Sequence, residues 1–501
     1  MESIESAVRL FKDQLEKLRV YNHAMGVMNY DMETVMPKGA APLVGETLGA
    51  LSEACYRLQT DEAFVAAMET ILQNPDAVDP ITRREAERMN EDREYLASIP
   101  LEEYVEYQVA QTAASSVWHE AKVNNDFASF LPHLEKLVEM TGRFARYYKP
   151  DQPVYDTLLG LYEKGLTTET LDAFFSQVRG ALVPLLERVM TCGREPRTDF
   201  LYRFYPKAQQ EKLTEYLMRI MCMDPDHTVC GEVEHPFTTE FTKADVRITT
   251  HYHEDAVHYS MYSVIHESGH ATYELNIADE IARSPLGSGV SMSVHESQSR
   301  FFENIIGRSE PFITFLFPKL RELFPEQLKD VTAHEFYLAV NKAEPSLIRT
   351  EADELTYALH VMVRYELEKQ LFNGTLAVKD LPAAWNALYK EYLGIDVPND
   401  TQGVLQDSHW SSGLFGYFPS YAVGSAYGAQ LIKLMERDLD VWGNVSEGKL
   451  QPLIDWLTER IYRYGCRLDP KDLMEQAFEG PFDPKYFTDY LEKKYTELYQ
   501  L

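Results

Sequence analysis

Helical spacing dominates the pattern of apolar and polar positions along this chain, as expected of helices laid against a core. Leu10, Phe11, Leu15 and Leu18 form one apolar stripe between charged positions. The stretch from Glu102 to Tyr148 behaves likewise and breaks near Asn124-Asn125-Asp126. Leu158 to Met190 and Lys207 to Met223 predict further helices, and the pattern returns from Ala422 to Leu501. Strand signals are few. The clearest runs from Asp245 to Tyr252, with Val246, Ile248, Thr250 and Tyr252 on one face and Arg247, Thr249 and His251 on the other. Three stretches rich in Gly, Pro, Ser and Asp read as loops: Asp224 to Phe237, Ser284 to Ser291, and Asp396 to Pro419. No internal repeat, low-complexity segment or hydrophilic linker divides the chain. That predicts one continuous helical unit over residues 1–501, with room for two lobes around a site.

Composition narrows the class. With 501 residues and 45% apolar content, the chain can bury a large core without staples. Its formal net charge is -31, from 79 acidic and 48 basic residues. Such a surface repels phosphate backbones and anionic lipid, so neither nucleic acid nor membrane is expected as a partner. The five cysteines contain no Cys-x-x-Cys pair and their number is odd, which argues against a disulfide framework or a thiolate metal site. Met1-Glu2-Ser3-Ile4-Glu5 carries acids where a signal peptide would carry bases, and no run of 18 apolar residues predicts a membrane span. The expected location is the cytoplasm.

The chemistry concentrates in Ser263-Val264-Ile265-His266-Glu267-Ser268-Gly269-His270-Ala271-Thr272-Tyr273. On a helix, positions i and i+4 share a face, so His266 and His270 can present their imidazoles to one ion. Glu267, beside the first of them, can reach the water that a metal activates and act as general base. Gly269 costs about 1 kcal/mol against Ala inside a helix. Close approach of substrate or backbone would explain it.

A catalytic zinc needs a third protein ligand and an open position. One metallopeptidase pattern places a histidine six residues after the second. That position is Asn276, and the glycine expected between them is Tyr273, so that class is excluded. A glutamate on a following helix is the alternative. Glu274 would crowd the histidines, and Glu280 lies near the helix end. Glu296, on a fresh helix after the glycine-serine loop, is preferred, with Glu303 as the runner-up. Phe301 and Phe302 suggest that this helix is buried.

Several separated motifs now fall into one order: His235-Pro236-Phe237, Asp245-Val246-Arg247-Ile248-Thr249, His266-Glu267-Ser268-Gly269-His270, His295-Glu296-Ser297-Gln298, Ile348-Arg349-Thr350-Glu351-Ala352-Asp353, and Gly403-Val404-Leu405-Gln406-Asp407-Ser408-His409-Trp410. The chain resembles the carboxypeptidase Taq family of zinc metallocarboxypeptidases over nearly its whole length. The resemblance implies a mainly α, single-domain fold, similar to neurolysin, with a deep groove and a small sheet beside the zinc helix. It implies His266, His270 and Glu296 as ligands of one zinc per subunit, Glu267 as base, and release of single residues from peptide C-termini with broad specificity. It also implies a homodimer. Imidazole and carboxylate ligands accept cobalt and manganese as well. One departure is Tyr30, in Asn29 to Pro37, where the family usually has tryptophan.

A carboxypeptidase must grip a terminal carboxylate, which suits arginine's planar fork. The resemblance gives that role to Arg349. Arg247 and Arg300 are alternatives, and an internal salt bridge with Glu351 or Asp353 is the competing reading of Arg349. The strand around Ile248 could pair with an extended substrate backbone. Oxyanion donors are expected from His409 and Tyr421, with Tyr417 as a substitute. His235 would line the groove or brace its loop. Asp245 and Asp407 are candidates to orient the ligating histidines. His251, His253 and His258 read as groove-lining or surface residues. The rival readings are a zinc endopeptidase or dipeptide-releasing enzyme, and a helical binding protein with a relic site.

Overall fold

The computed structural model describes residues 4–501; Met1–Ser3 lie outside it. Helices account for 69% of the chain. The first four are α1 (Ile4–Thr34), α2 (Ala41–Gln59), α3 (Glu62–Gln73) and α4 (Pro80–Ala97). They close a small core of their own, in which Phe11 stacks on Phe64 with ring centroids 5.4 Å apart. The α1 stripe is Ala7, Phe11, Leu15 and Leu18, with Leu10 only partly buried.

A much larger core runs from Ala110 to Tyr499. It is built by α5 (Leu101–Asn124), α6 (Phe127–Tyr148), α7 (Val154–Gly160), α8 (Thr168–Thr191) and α9 (Lys207–Ile220), then by the sheet and all later helices. The break expected at Asn124–Asp126 is real: Asn125 adopts φ 54°, and Asp126 caps α6 through Ser129 N at 3.2 Å. The single helix expected over Leu158–Met190 is instead two, α7 and α8, separated by a turn around Gly165 at φ 91°.

The sheet comprises β1 (Thr228–Glu232), β2 (Thr238–Thr242) and β3 (Asp245–Thr250), in the order β1-β3-β2. β1 runs parallel to β3, and β2 antiparallel with a register shift between Glu240 and Thr242. The segment Asp224–Phe237, expected as loop, thus contributes a strand. This corrects the role expected of the strand around Ile248. Both ladders of β3 are occupied by protein, so it cannot take a substrate backbone.

Beyond the sheet lie α10 (Val257–Leu275) and α11 (Met292–Arg300), then a π-helical turn over Phe301–Ile306. They are followed by α12 (Glu310–Leu323), α13 (Ala333–Val340), a 3-10 turn at Arg349–Glu351, α14 (Glu354–Asn373) and α15 (Leu381–Leu393). The C-terminal helices are α16 (Pro419–Asp438), α17 (Val441–Ser446), α18 (Gln451–Arg460), α19 (Pro470–Phe478) and α20 (Lys485–Tyr499). Among the described residues no helix is long and apolar enough to cross a membrane.

α10 is buried on nearly every side, from Val257 to Glu274. Gly269 explains how α11 comes so near. A Cβ there would stand 2.7 Å from Gln298 O and from Ser299 Cα. The glycine serves helix–helix contact, and the close approach is by backbone.

Candidate metal centre

Two helices bring the three candidate ligands together. α10 presents His266 and His270 one turn apart. α11 starts afresh after the Ser284–Ser291 loop because Ser291 caps it, accepting from Val294 N at 3.3 Å. It then delivers Glu296. One donor atom from each of His266, His270 and Glu296 lies within 4.8 Å of the others. Glu296 Oε2 stands 3.8 Å from His266 Nε2 and 3.6 Å from His270 Nε2. These separations are too long for hydrogen bonds. They are somewhat longer than the edge, about 3.4 Å, of a tetrahedron with bonds of about 2.1 Å. The imidazoles keep 18% side-chain exposure, which leaves an open side to the site.

The rear atoms of both rings are occupied. His266 Nδ1 lies 2.8 Å from Glu303 Oε2, and His270 Nδ1 lies 2.7 Å from His295 Nδ1. His295 Nε2 continues to Glu274 Oε1 at 2.7 Å, and that oxygen also accepts from Gly289 N at 2.8 Å. Only the Nε2 atoms remain to face an ion. The donor set and its orientation therefore fit a divalent metal held by two imidazoles and a carboxylate. The carboxylate that orients His266 is Glu303, the runner-up for ligand. Glu274, set aside for crowding, is buried behind His295. Asp245 and Asp407, the candidates for orienting the ligating histidines, do neither: Asp245 pairs with Arg247 and Asp407 with Arg349 and Arg364. Strand alternation and sequence distance gave no hint that the carboxylate would come from the π-turn instead.

Burial sets the charge states. It lifts the Glu267 carboxyl above its ordinary range. It pushes the His270 imidazole well down, helped by His295 and His266, which favours the neutral ring that a metal needs. At His266 burial acts downward but Glu303 and Glu296 outweigh it, and the pKa is raised. Burial would raise Glu303, yet Arg300, His266 and Arg308 hold it well below the carboxylate range. Glu267 Oε2 accepts from Thr238 Oγ1 at 2.6 Å, and the same hydroxyl reaches Glu267 O at 3.0 Å. Thr238 belongs to β2, so the edge strand touching Glu267 is β2.

The second cluster surrounds Arg349. This residue is buried, and the internal salt bridge is real, though its partner is Asp407 and neither Glu351 nor Asp353. Asp407 Oδ1 accepts from Arg349 Nε at 3.0 Å and Nη2 at 2.9 Å. Its Oδ2 accepts from Arg364 Nε at 2.8 Å and Nη2 at 2.7 Å. Arg349 Nη1 donates to Tyr357 Oη at 3.1 Å, and the guanidinium lies 5.0 Å from the Tyr421 ring. His409 Nε2 is 3.3 Å from Tyr421 Oη, while its Nδ1 is buried without a partner. Burial, with Arg349 nearby, pushes His409 down to about 4. Tyr417 and Tyr421 pack edge to face at 5.3 Å.

Other expected residues lie elsewhere. Arg247 is bound by Asp245 at 2.8 Å and stacked between Tyr30 and Phe241. Its Nε and Nη2 both face Asp245, two residues away on the same strand. Tyr30 thereby fills its place with an aromatic face, as its ring also meets Phe237. Arg300 is engaged by Glu296 and Glu303. His235 is exposed in the loop before β2. His251 Nδ1 meets Val233 O at 2.7 Å, and His258 is partly buried beside Tyr202 and Tyr259.

A helical fold around two imidazoles, a carboxylate and an adjacent buried glutamate defines a metallopeptidase. The chain belongs to the carboxypeptidase Taq (M32) metallopeptidase family, whose model matches residues 10–495. It is a metallocarboxypeptidase with full-length relatives. Carboxypeptidase 1 of Bacillus subtilis is 39% identical, covering 98% of each chain. Thermostable carboxypeptidase 1 of Thermus thermophilus is 36% identical over 97% of this chain and 98% of its own. The crystal structure of the M32 carboxypeptidase from Deinococcus radiodurans superposes with a TM-score of 0.96 at 35% identity, covering 99% of this chain and 100% of that one.

Proposed function

We propose that His266, His270 and Glu296 hold one zinc ion and that Glu267 is the general base for release of single C-terminal residues from peptides. The observation that carries this is the convergence of three donor atoms with both rear imidazole nitrogens already engaged. An ion held by these residues would supply Lewis-acid chemistry, polarising the scissile carbonyl and lowering the pKa of a water. Glu267, buried and held by Thr238, takes the proton of the attacking water and passes it to the leaving amine. Tyr421 and His409 supply hydrogen bonds to the oxyanion. Burial raises the Tyr421 hydroxyl well above its ordinary range, so it keeps its proton.

Arg349 anchors the terminal carboxylate. It and Arg364 share the single carboxylate Asp407, leaving the trio with one positive charge in excess. An extended peptide backbone pairs with the free edge of β2, whose Thr238 touches Glu267. His235, exposed before β2, borders the incoming peptide.

We read the whole chain as one unit, with α1–α4 as its smaller lobe, because the remaining helices share one core. It forms a homodimer: Leu101, Val105 and Val109 make an exposed stripe along α5 at i, i+4 and i+8. Five free cysteines suit the reducing cytoplasm.

The test is a time-resolved digest of one peptide as free acid and as C-terminal amide, with metal analysis of the same sample. Stepwise loss of single residues from the free acid alone, abolished by a chelator, is expected. Equal cleavage of the amide, or dipeptides as first products, would overturn the reading.

A further inference from the structure

Arg300 stands between the two carboxylates that bracket His266. Its Nε donates to Glu296 Oε1 at 2.7 Å and its Nη1 to Glu303 Oε2 at 3.1 Å. Glu296 turns its other oxygen toward the Nε2 atoms of His266 and His270. Glu303 Oε2 is the atom paired with His266 Nδ1. One guanidinium thus touches the carboxylate in front of the imidazoles and the carboxylate behind one of them.

The backbone is shaped for this reach. Glu296 and Arg300 are i,i+4 on α11, and Glu303 follows at i,i+3 in the π-helical turn. Turns of that width are rare and concentrate at functional sites. The guanidinium is also clamped. Its central carbon lies 4.3 Å from the centre of the Tyr357 ring, and its side chain keeps 18% exposure. Arg308 Nη2 donates to Glu303 Oε1 at 3.1 Å and Ser299 Oγ to Glu296 Oε2 at 3.2 Å, so each carboxylate has a further partner besides Arg300.

We infer that Arg300 is the positioning residue of the metal centre: it fixes Glu296 to one ligand oxygen and holds Glu303 against His266. This rests on His266, His270 and Glu296 being the metal ligands. Charge alone predicts the reverse of positioning. A guanidinium beside a cation site repels the ion, so its removal would tighten metal binding if electrostatics were its only effect. If it positions the ligands, its removal loosens binding.

The experiment measures the zinc dissociation constant by competition with a chromogenic chelator on Arg300→Met, checked as folded by circular dichroism. Methionine keeps bulk and loses both charge and donors. A 10- to 100-fold weaker affinity is expected, the range seen when outer partners of metal ligands are removed. Arg300→Lys keeps a charge but no fork; a loss of several-fold is expected, and it is read in place of Arg300→Met if that variant does not fold. Affinity equal to or tighter than wild type in the folded variant overturns the inference. Failure of the ligand reading shows separately: wild type would bind no stoichiometric zinc, or His270→Ala would bind it as tightly as wild type, and the inference would fall with it.

Discussion

The Nδ1 atoms of His270 and His295 face each other at 2.7 Å. One must donate and the other accept. When Nε2 of His270 gives its lone pair to a metal, its Nδ1 carries the proton, so His295 accepts at Nδ1 and donates from Nε2 to Glu274. In that arrangement His295, accepting the Nδ1 proton, fixes the tautomer of His270. His295→Leu removes the acceptor and is expected to weaken metal binding 10- to 100-fold. His295→Gln, whose carbonyl still accepts, is expected to lose less. Chelator competition measures both; equal affinities in the two variants would sink the tautomer argument.

Glu267→Gln separates binding from chemistry. The amide keeps the shape and the contact to Thr238 but cannot take a proton. Metal content is expected to stay at the wild-type level, while kcat falls by about 10²–10⁴. Turnover within tenfold of wild type, with metal retained, would remove Glu267 as the base.

The candidate ligand cluster was legible because it is local or nearly so. His266 and His270 are spaced by one helical turn, and Glu296 lies just past a loop that reverses the chain. The helices were legible from periodicity for the same reason. What could not be read depends on distant pairing. β1 hides in a segment whose Gly, Pro and Asp content signals loop, and its partner strand is fixed only by tertiary contact. Arg349 and Arg364 converge on Asp407 across more than forty residues, and side-chain type alone gives no distance. The π-turn that aims Glu303 behind His266 has no periodicity signature at all.

Asp407 holds two buried guanidiniums apart and neutralises one. Burial acts upward on its carboxyl, yet Arg364 and Arg349 hold it well below the usual range. Asp407→Asn keeps the outline and leaves two buried cations without their anion. Breaking a buried pair from one side costs about 3–5 kcal/mol, and urea unfolding is expected to report a loss of that order. A loss below about 1 kcal/mol would show the cations to be solvated or compensated elsewhere.

Glu163 gives the fold a pH dependence of definite sign. It sits 3% exposed at the start of α11 and accepts from Ser293 N at 3.2 Å. Burial lifts its carboxyl from the ordinary 4.5 to about 7. Between these values the folded state holds a proton that the unfolded chain releases. Its contribution is therefore fully present below about pH 4.5 and is lost as pH rises through 7. The loss is on the order of 3 kcal/mol. Glu163→Gln stays neutral throughout and should lack this slope. Urea unfolding midpoints at pH 5, 6 and 8 for both proteins decide it. The stability difference should turn in favour of the variant as pH rises, whereas parallel curves would mean that Glu163 does not change protonation across this window.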